Sequence, residues 1–259
     1  MVSDMNHHTE MTMRGARVSR RGLLTGLAFA VGGVASAQLW AASDEAAAPK
    51  EGGLSSEGLL VGQPGFQPRT VAPLPHTELP GFLTQAQLAA NHDAYVQAVD
   101  TLRSTEAALA KADRSPAGLA AYRTLRQQQV ASANDVLLHE FYFRGLAPQA
   151  VAVPSYVERN MSEHMGTLAT WRGDFTDCAL AARSWAALVY DPYDDRWHNV
   201  IMDSNVDGVW IGANPLVVCD VAEHAWSKDY PRREDYVTRF LDHVDWDEVA
   251  RRYRRVDRM

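Results

Sequence analysis

Three residues of this 259-residue chain have the types and setting to hold a transition metal: His139, Asp220 and His224. His139 lies in an apolar helical run, Asn134 to Phe143, where a single histidine is ordinarily a hydrogen-bonded core residue. Asp220 closes a short apolar strand, and Glu223-His224 follow it. A carboxylate leaving a buried strand needs a partner. Asp220 and His224 are four apart, so a helical turn after the strand brings both onto one face. Two imidazoles and one carboxylate suit iron or manganese and leave positions for water or an oxygen species. A plain Asp220–His224 hydrogen bond without an ion meets the same spacing, and spacing alone leaves both readings open.

The elements that must position these residues are helical first and mixed afterwards. Thr84 is a natural N-cap, and Leu88, Tyr95, Val99 and Leu102 mark an amphipathic helix from there to about residue 111. Asp113 to Pro116 breaks it, and a second helix is expected over about 117–143, ended by Gly145 and Pro148. The two read as an antiparallel hairpin. One helical segment is expected over about 154–182. Strands follow at 184–190, 198–202 and 215–220, with a turn at Asp191 to Asp195, and helices at 236–244 and 246–254 close the chain. The fold class is therefore α+β: an N-terminal long helical hairpin, then a small three-stranded antiparallel sheet flanked by helices.

Composition narrows the function. The chain is 46% hydrophobic and 22% charged, enough apolar mass for a real core. Arg14, Arg17, Arg20 and Arg21 precede an apolar run, Leu23 to Val34, and Ala35-Ser36-Ala37 offers a cleavage site. This is the layout of an export signal, and its apolar run is too short to span a membrane comfortably. Ser19-Arg20-Arg21-Gly22-Leu23-Leu24 resembles the twin-arginine motif. Residues 1–37 are read as that signal and 38–80 as a linker and extended arm. A helical hairpin domain is expected over 81–147 and an α/β C-terminal domain over 148–259. The expected location is periplasmic or extracellular. Four arginines and two acids leave with the signal, so 21 basic and 30 acidic residues remain, a balance of −9. That argues against a nucleic-acid partner. Two cysteines, Cys178 and Cys219, are too few for a disulfide scaffold or an all-cysteine metal site.

Asp220-Val-Ala-Glu-His-Ala-Trp226 resembles the D-x-W-E-H-A-Y signature of iron/manganese superoxide dismutases. Ser184-Trp-Ala-Ala-Leu188 is similar to the family's S-G-W-A-W-L strand, and Val244-Asp-Trp-Asp-Glu-Val249 to its closing N-W-E-x-V helix. Asn91-His-Asp-Ala-Tyr-Val96 resembles the family's H-H-x-x-Y-V segment, and Asn134 to Phe143 the helix carrying the second histidine ligand. The resemblance implies one Fe or Mn per chain, superoxide as the substrate, Tyr95 as the tyrosine that orients solvent and relays protons, and a homodimer in which Glu223 reaches the opposing subunit's ligand histidine. It carries His139, Asp220 and His224 over as ligands. The family's first histidine ligand, eight residues before the tyrosine, falls on Gln87. Either His92 serves as the fourth ligand after the loss of a helical turn, or the site lacks that histidine. The latter leaves a two-His-one-carboxylate site or no metal, and a non-dismutase oxidoreductase or a binding protein. The family's glutamine beside the metal-bound solvent falls on Asp135 or near Ser204 and Asn205, and its tryptophan between Asp220 and Glu223 is Ala222. Trp185 and Trp226 are expected to wall the site, and Arg233 to guide the anion.

Overall fold

The computed structural model describes residues 69–256. The segment read as an export signal, residues 1–37, and residues 38–68 of the expected linker lie outside the described residues.

Thr84 starts α1, Gln85–Ala110, its hydroxyl accepting from the Gln87 N–H at 3.2 Å. Leu88, Tyr95, Val99 and Leu102 make its buried stripe, with Gln87 and Asn91 buried on the same helix. The break is an Asx turn in which Asp113 takes the Ser115 N–H and hydroxyl. Gly118 then opens α2, Leu119–Arg144, where a Cβ would stand 2.4 Å from the Asp113 carbonyl, so only glycine fits. The extended arm docks on this hairpin. The Ala72 N–H reaches the Tyr95 hydroxyl at 3.0 Å, and Arg69 pairs with Glu140 at 3.1 Å.

The helix expected over 154–182 is two helices, α3, Ser155–Met165, and α4, Leu168–Ala181. Gly166 at φ +88° turns the chain between them, and Thr167 caps α4 by accepting from the Thr170 N–H. Apolar periodicity continues across that glycine, which is why the pattern alone reads as one element.

The strands are β1, Trp185–Asp191, β2, Arg196–Met202, and β3, Asn214–Asp220, in the antiparallel order β2-β1-β3. All seven residues of central β1 are buried, so both faces of the sheet are covered there. Pro215 sits on an edge strand beside a register shift at Leu188/Val189, where a missing N–H is tolerated. The pairing sets Trp185 opposite Asp220. A short 3-10 turn, Glu223–Ala225, leads to α5, Arg233–Asp242, and α6, Trp246–Val256.

One hydrophobic core runs from Leu88 and Tyr95 of the hairpin through β1 and β3 to Trp246 and Val249. Across it, Arg252 of α6 donates to the Leu216 carbonyl of β3 and the Phe141 carbonyl of α2, each at 2.8 Å, and pairs with Glu248. A buried guanidinium thus ties the strand ending in Asp220 to the helix carrying His139. Among the described residues no helix is long and apolar enough to cross a membrane.

Candidate metal centre

Hairpin and sheet converge on the carboxylate of Asp220, which is fully buried at the end of β3. The Ala222 N–H holds its Oδ1 at 3.0 Å, which aims Oδ2 at two imidazoles. His224 Nε2 lies 3.1 Å from Oδ2 and His139 Nε2 lies 3.8 Å from it. The donor atoms of the three residues lie within 4.8 Å of one another. Asp220 and His224 meet through extended backbone at Ala222 followed by the 3-10 turn, rather than through a helical turn beginning at the strand end. The bond to Asp220 raises the His224 pKa above the ordinary histidine value against the opposing effect of burial.

The tautomer of His139 follows from its other nitrogen. Nδ1 lies 2.9 Å from the Asp135 carbonyl one helical turn back, and 3.2 Å from the Asp135 carboxylate. Both are acceptors, so Nδ1 carries the proton and Nε2 presents a lone pair. Nε2 is buried and has no hydrogen-bond partner. A buried lone pair facing a carboxylate oxygen is repulsive unless a cation stands between them. Donor separations of 3.1 and 3.8 Å match two ligands each about 2.0–2.2 Å from one ion. The residues present therefore fit a metal.

His92 does not join this group, which corrects its assignment as the fourth ligand. Its Nε2 lies 3.0 Å from the Ala72 carbonyl, and its ring packs beside Tyr95 and Phe143, so it holds the arm to α1. Gln87 is not a ligand either. Fully buried, it donates to the His224 carbonyl at 2.6 Å and accepts from the Lys228 N–H at 2.8 Å, clamping the 3-10 turn on which His224 sits. Tyr95 packs near His139, with ring centroids 6.1 Å apart. Its hydroxyl, however, donates to Glu140 and accepts from Ala72, so it is committed to the arm rather than to solvent at the cluster.

Trp185 stands edge-on to His139 at 4.9 Å, as expected of a dry wall, and its indole N–H is held by Asn205. Trp226 instead donates to the Val221 carbonyl. Arg233 caps the end of α4 by donating to the Leu180 and Ala182 carbonyls, which corrects its placement as an anion guide. Cys178 and Cys219 are both free thiols. A cleft of about 350 Å³ reaches His139 and His224 between Gln97 and Thr101 of α1, Gln128 and Asp135 of α2, and Asn205. Among the described residues lining it, none is lysine or arginine.

Sequence reasoning missed Arg252, the clamp role of Gln87, and Asn91, whose buried side-chain nitrogen lies 3.2 Å from Asp220 Oδ2. The one available signal was polar side chains on the apolar stripe of α1, at positions 87 and 91.

Comparison with known proteins places the chain beside superoxide dismutases. Residues 154–252 match the family model described as iron/manganese superoxide dismutases, C-terminal domain. The superoxide dismutase [Mn] of Haloarcula marismortui is 30% identical over 187 residues, covering 70% of this chain and 91% of that one. The superoxide dismutase [Fe] of Aquifex aeolicus is 31% identical over 168 residues, 63% of this chain and 79% of its own. Superoxide dismutase [Mn] 2 of Haloferax volcanii is 36% identical over 119 residues, which span 45% of this chain and 60% of that enzyme's length.

Proposed function

The chain belongs to the iron/manganese superoxide dismutase family, and from that premise we propose that it binds one iron or manganese ion per chain through His139, Asp220 and His224 and converts superoxide to oxygen and hydrogen peroxide there. The observation that carries this reading is the buried, unpartnered Nε2 of His139, 3.8 Å from Asp220 Oδ2.

When bound, the ion supplies a one-electron couple that accepts an electron from one superoxide and returns it to the next. The rest falls to the protein. Asp220 brings a negative charge that favours the oxidised ion, and the Ala222 N–H keeps Oδ2 turned inward. Asp135 fixes His139 as a neutral nitrogen donor, as hydrogen-bond partners of ligating histidines generally do. Gln87 sets the position of His224 by holding its carbonyl. Peroxide leaves only after two protons arrive. The cleft lined by Asp135, His139 and His224 is the route by which solvent protons reach the site. Trp185 excludes water from one side of His139.

A second reading rests on the cleft wall. With Asp135 on it and no lysine or arginine among its described lining residues, it does not concentrate an anion. Two histidines and one carboxylate also suit a non-dismutase iron oxidoreductase acting on a neutral substrate. The test is the superoxide dismutation rate of the protein loaded with Fe or Mn, beside Asp220→Ala. Dismutation that disappears in the variant supports the first reading. Stoichiometric metal without dismutation supports the second.

The mature protein is further proposed to be exported through a twin-arginine signal and to form a homodimer. Glu223 is exposed and the His224 side chain is 41% exposed, which leaves room for a second copy over them. Replacing Arg20 and Arg21 by lysine blocks export on this account, and sedimentation of the mature chain gives twice the monomer mass.

A further inference from the structure

Two buried polar atoms without partners belong to side chains that converge on Asp220: His139 Nε2 and Asn91 Oδ1. Asn91 is only 1% exposed, in the first half of α1, and its amide reaches Asp220 Oδ2 at 3.2 Å. Chance burial does not account for the pair well. Unmet buried polar atoms are few in a native fold, and here two of them belong to side chains that approach one carboxylate oxygen.

The oxygen and nitrogen of a side-chain amide are told apart by their hydrogen bonds alone. Without an ion, Asp220 Oδ2 favours the amide nitrogen facing it, and the oxygen is left buried and unpaired. With a divalent cation beside Oδ2, the preference reverses. A half-turn of the terminal torsion, which is soft for asparagine, presents the carbonyl oxygen to the ion. Other candidate donors on α1 are committed elsewhere. Gln87 is bonded to backbone at both ends of its amide, and His92 faces the Ala72 carbonyl.

We propose that Asn91 Oδ1 is the fourth protein ligand of the ion held by His139, Asp220 and His224. This inference rests on the reading that the cluster binds iron or manganese. The site becomes two nitrogens and two oxygens in place of three nitrogens and one oxygen. A carboxamide oxygen is a hard, neutral donor, so the set keeps its net charge while shifting toward Mn(II) and Fe(II) and away from softer Zn(II) and Cu(II). The missing histidine is thereby replaced from the next turn of the same helix, and Gln87 is released to clamp the His224 turn.

The test uses Mn(II) alone on the mature chain. Its affinity is measured by chelator competition in the wild type, Asn91→Leu and Asn91→Asp, with melting of each metal-free protein as the folding control. A crystal structure of the Mn(II)-loaded wild type accompanies it. The account predicts Asn91 Oδ1 about 2.2 Å from the ion. It predicts an affinity loss of at least tenfold in Asn91→Leu and retained or tighter binding in Asn91→Asp, which keeps an oxygen at that place. If the loaded structure keeps the Asn91 amide nitrogen on Asp220, or Asn91→Leu binds as the wild type does, the ligand assignment is overturned while the metal site stands. If the wild type takes up no Mn(II), the site reading fails, and this inference with it.

Discussion

His139, Asp220 and His224 form one group of metal-ligating side chains whose donor atoms lie within 4.8 Å of one another; Asp191, Asp194 and His198, at the β1–β2 turn, form a second. Residue types favour the second as a cation site, since it has two carboxylates to the first group's one. Their hydrogen bonds say otherwise. Asp191 accepts from the Tyr193 N–H and the Trp210 indole, and Asp194 accepts from the Arg196 N–H and meets His198 at 2.8 Å. The turn is complete without an ion, as a carboxylate-rich hairpin commonly is. In the first group Asp220 is fully buried, and His139 Nε2 and the neighbouring Asn91 Oδ1 have no partner. A binding site is marked by unmet valence in a dry place more than by an inventory of ligand types.

The largest break in that contrast is expected from Asp220→Ala. Metal per chain, read by elemental mass spectrometry, should fall from about one to near zero, whereas Asp194→Ala should leave it unchanged. Arg252→Ala should cost about 3 kcal/mol in urea unfolding, because it leaves Glu248 with Arg251 as its ion-pair partner and frees the Leu216 and Phe141 carbonyls. It should also weaken metal binding, since it loosens α2 from β3. Asp135→Ala should lower metal affinity by roughly tenfold, the lower end for a residue that orients a ligand histidine, because its backbone carbonyl remains on His139 Nδ1. Tyr95→Phe should cost about 1 kcal/mol by losing the Ala72 and Glu140 bonds, with metal content unaltered.

The smallest effect sharpens the comparison from the sheet side. His164 accepts the Trp197 N–H at the start of β2, and burial lowers its pKa, with Glu163 and Asp195 opposing and Arg196 assisting. A histidine depressed in the fold stays neutral there while the unfolded chain takes up protons. Its contribution is therefore complete above about 6.5 and is lost as pH falls through the folded value. Melting temperatures at pH 5 and pH 7.5 should differ less in His164→Gln than in the wild type.

The sequence was most legible where partners are close along the chain. Asp220 and His224 are four apart, and the strand pattern of 215–220 sets the depth of one of them. The hairpin was legible from apolar periodicity and the Asp113–Pro116 break. What escaped depends on distant partners. Gln87 meets the His224 turn 137 residues away, Asn91 meets Asp220 across 129, and Arg252 reaches Phe141 across 111. Arg233 illustrates the same limit, because a surface arginine and a helix-capping arginine look alike until the Leu180 carbonyl stands beside it. Gly166 ended a helix because of its positive φ, which a periodic pattern does not record.

The most direct test is the metal content per chain of the wild-type protein, measured by elemental mass spectrometry beside the double variant Asp194→Ala/His198→Ala. The account predicts close to one Fe or Mn per chain in both proteins. Values near zero in the wild type, unchanged after refolding with either metal, would contradict it, as would a loss of metal confined to the double variant.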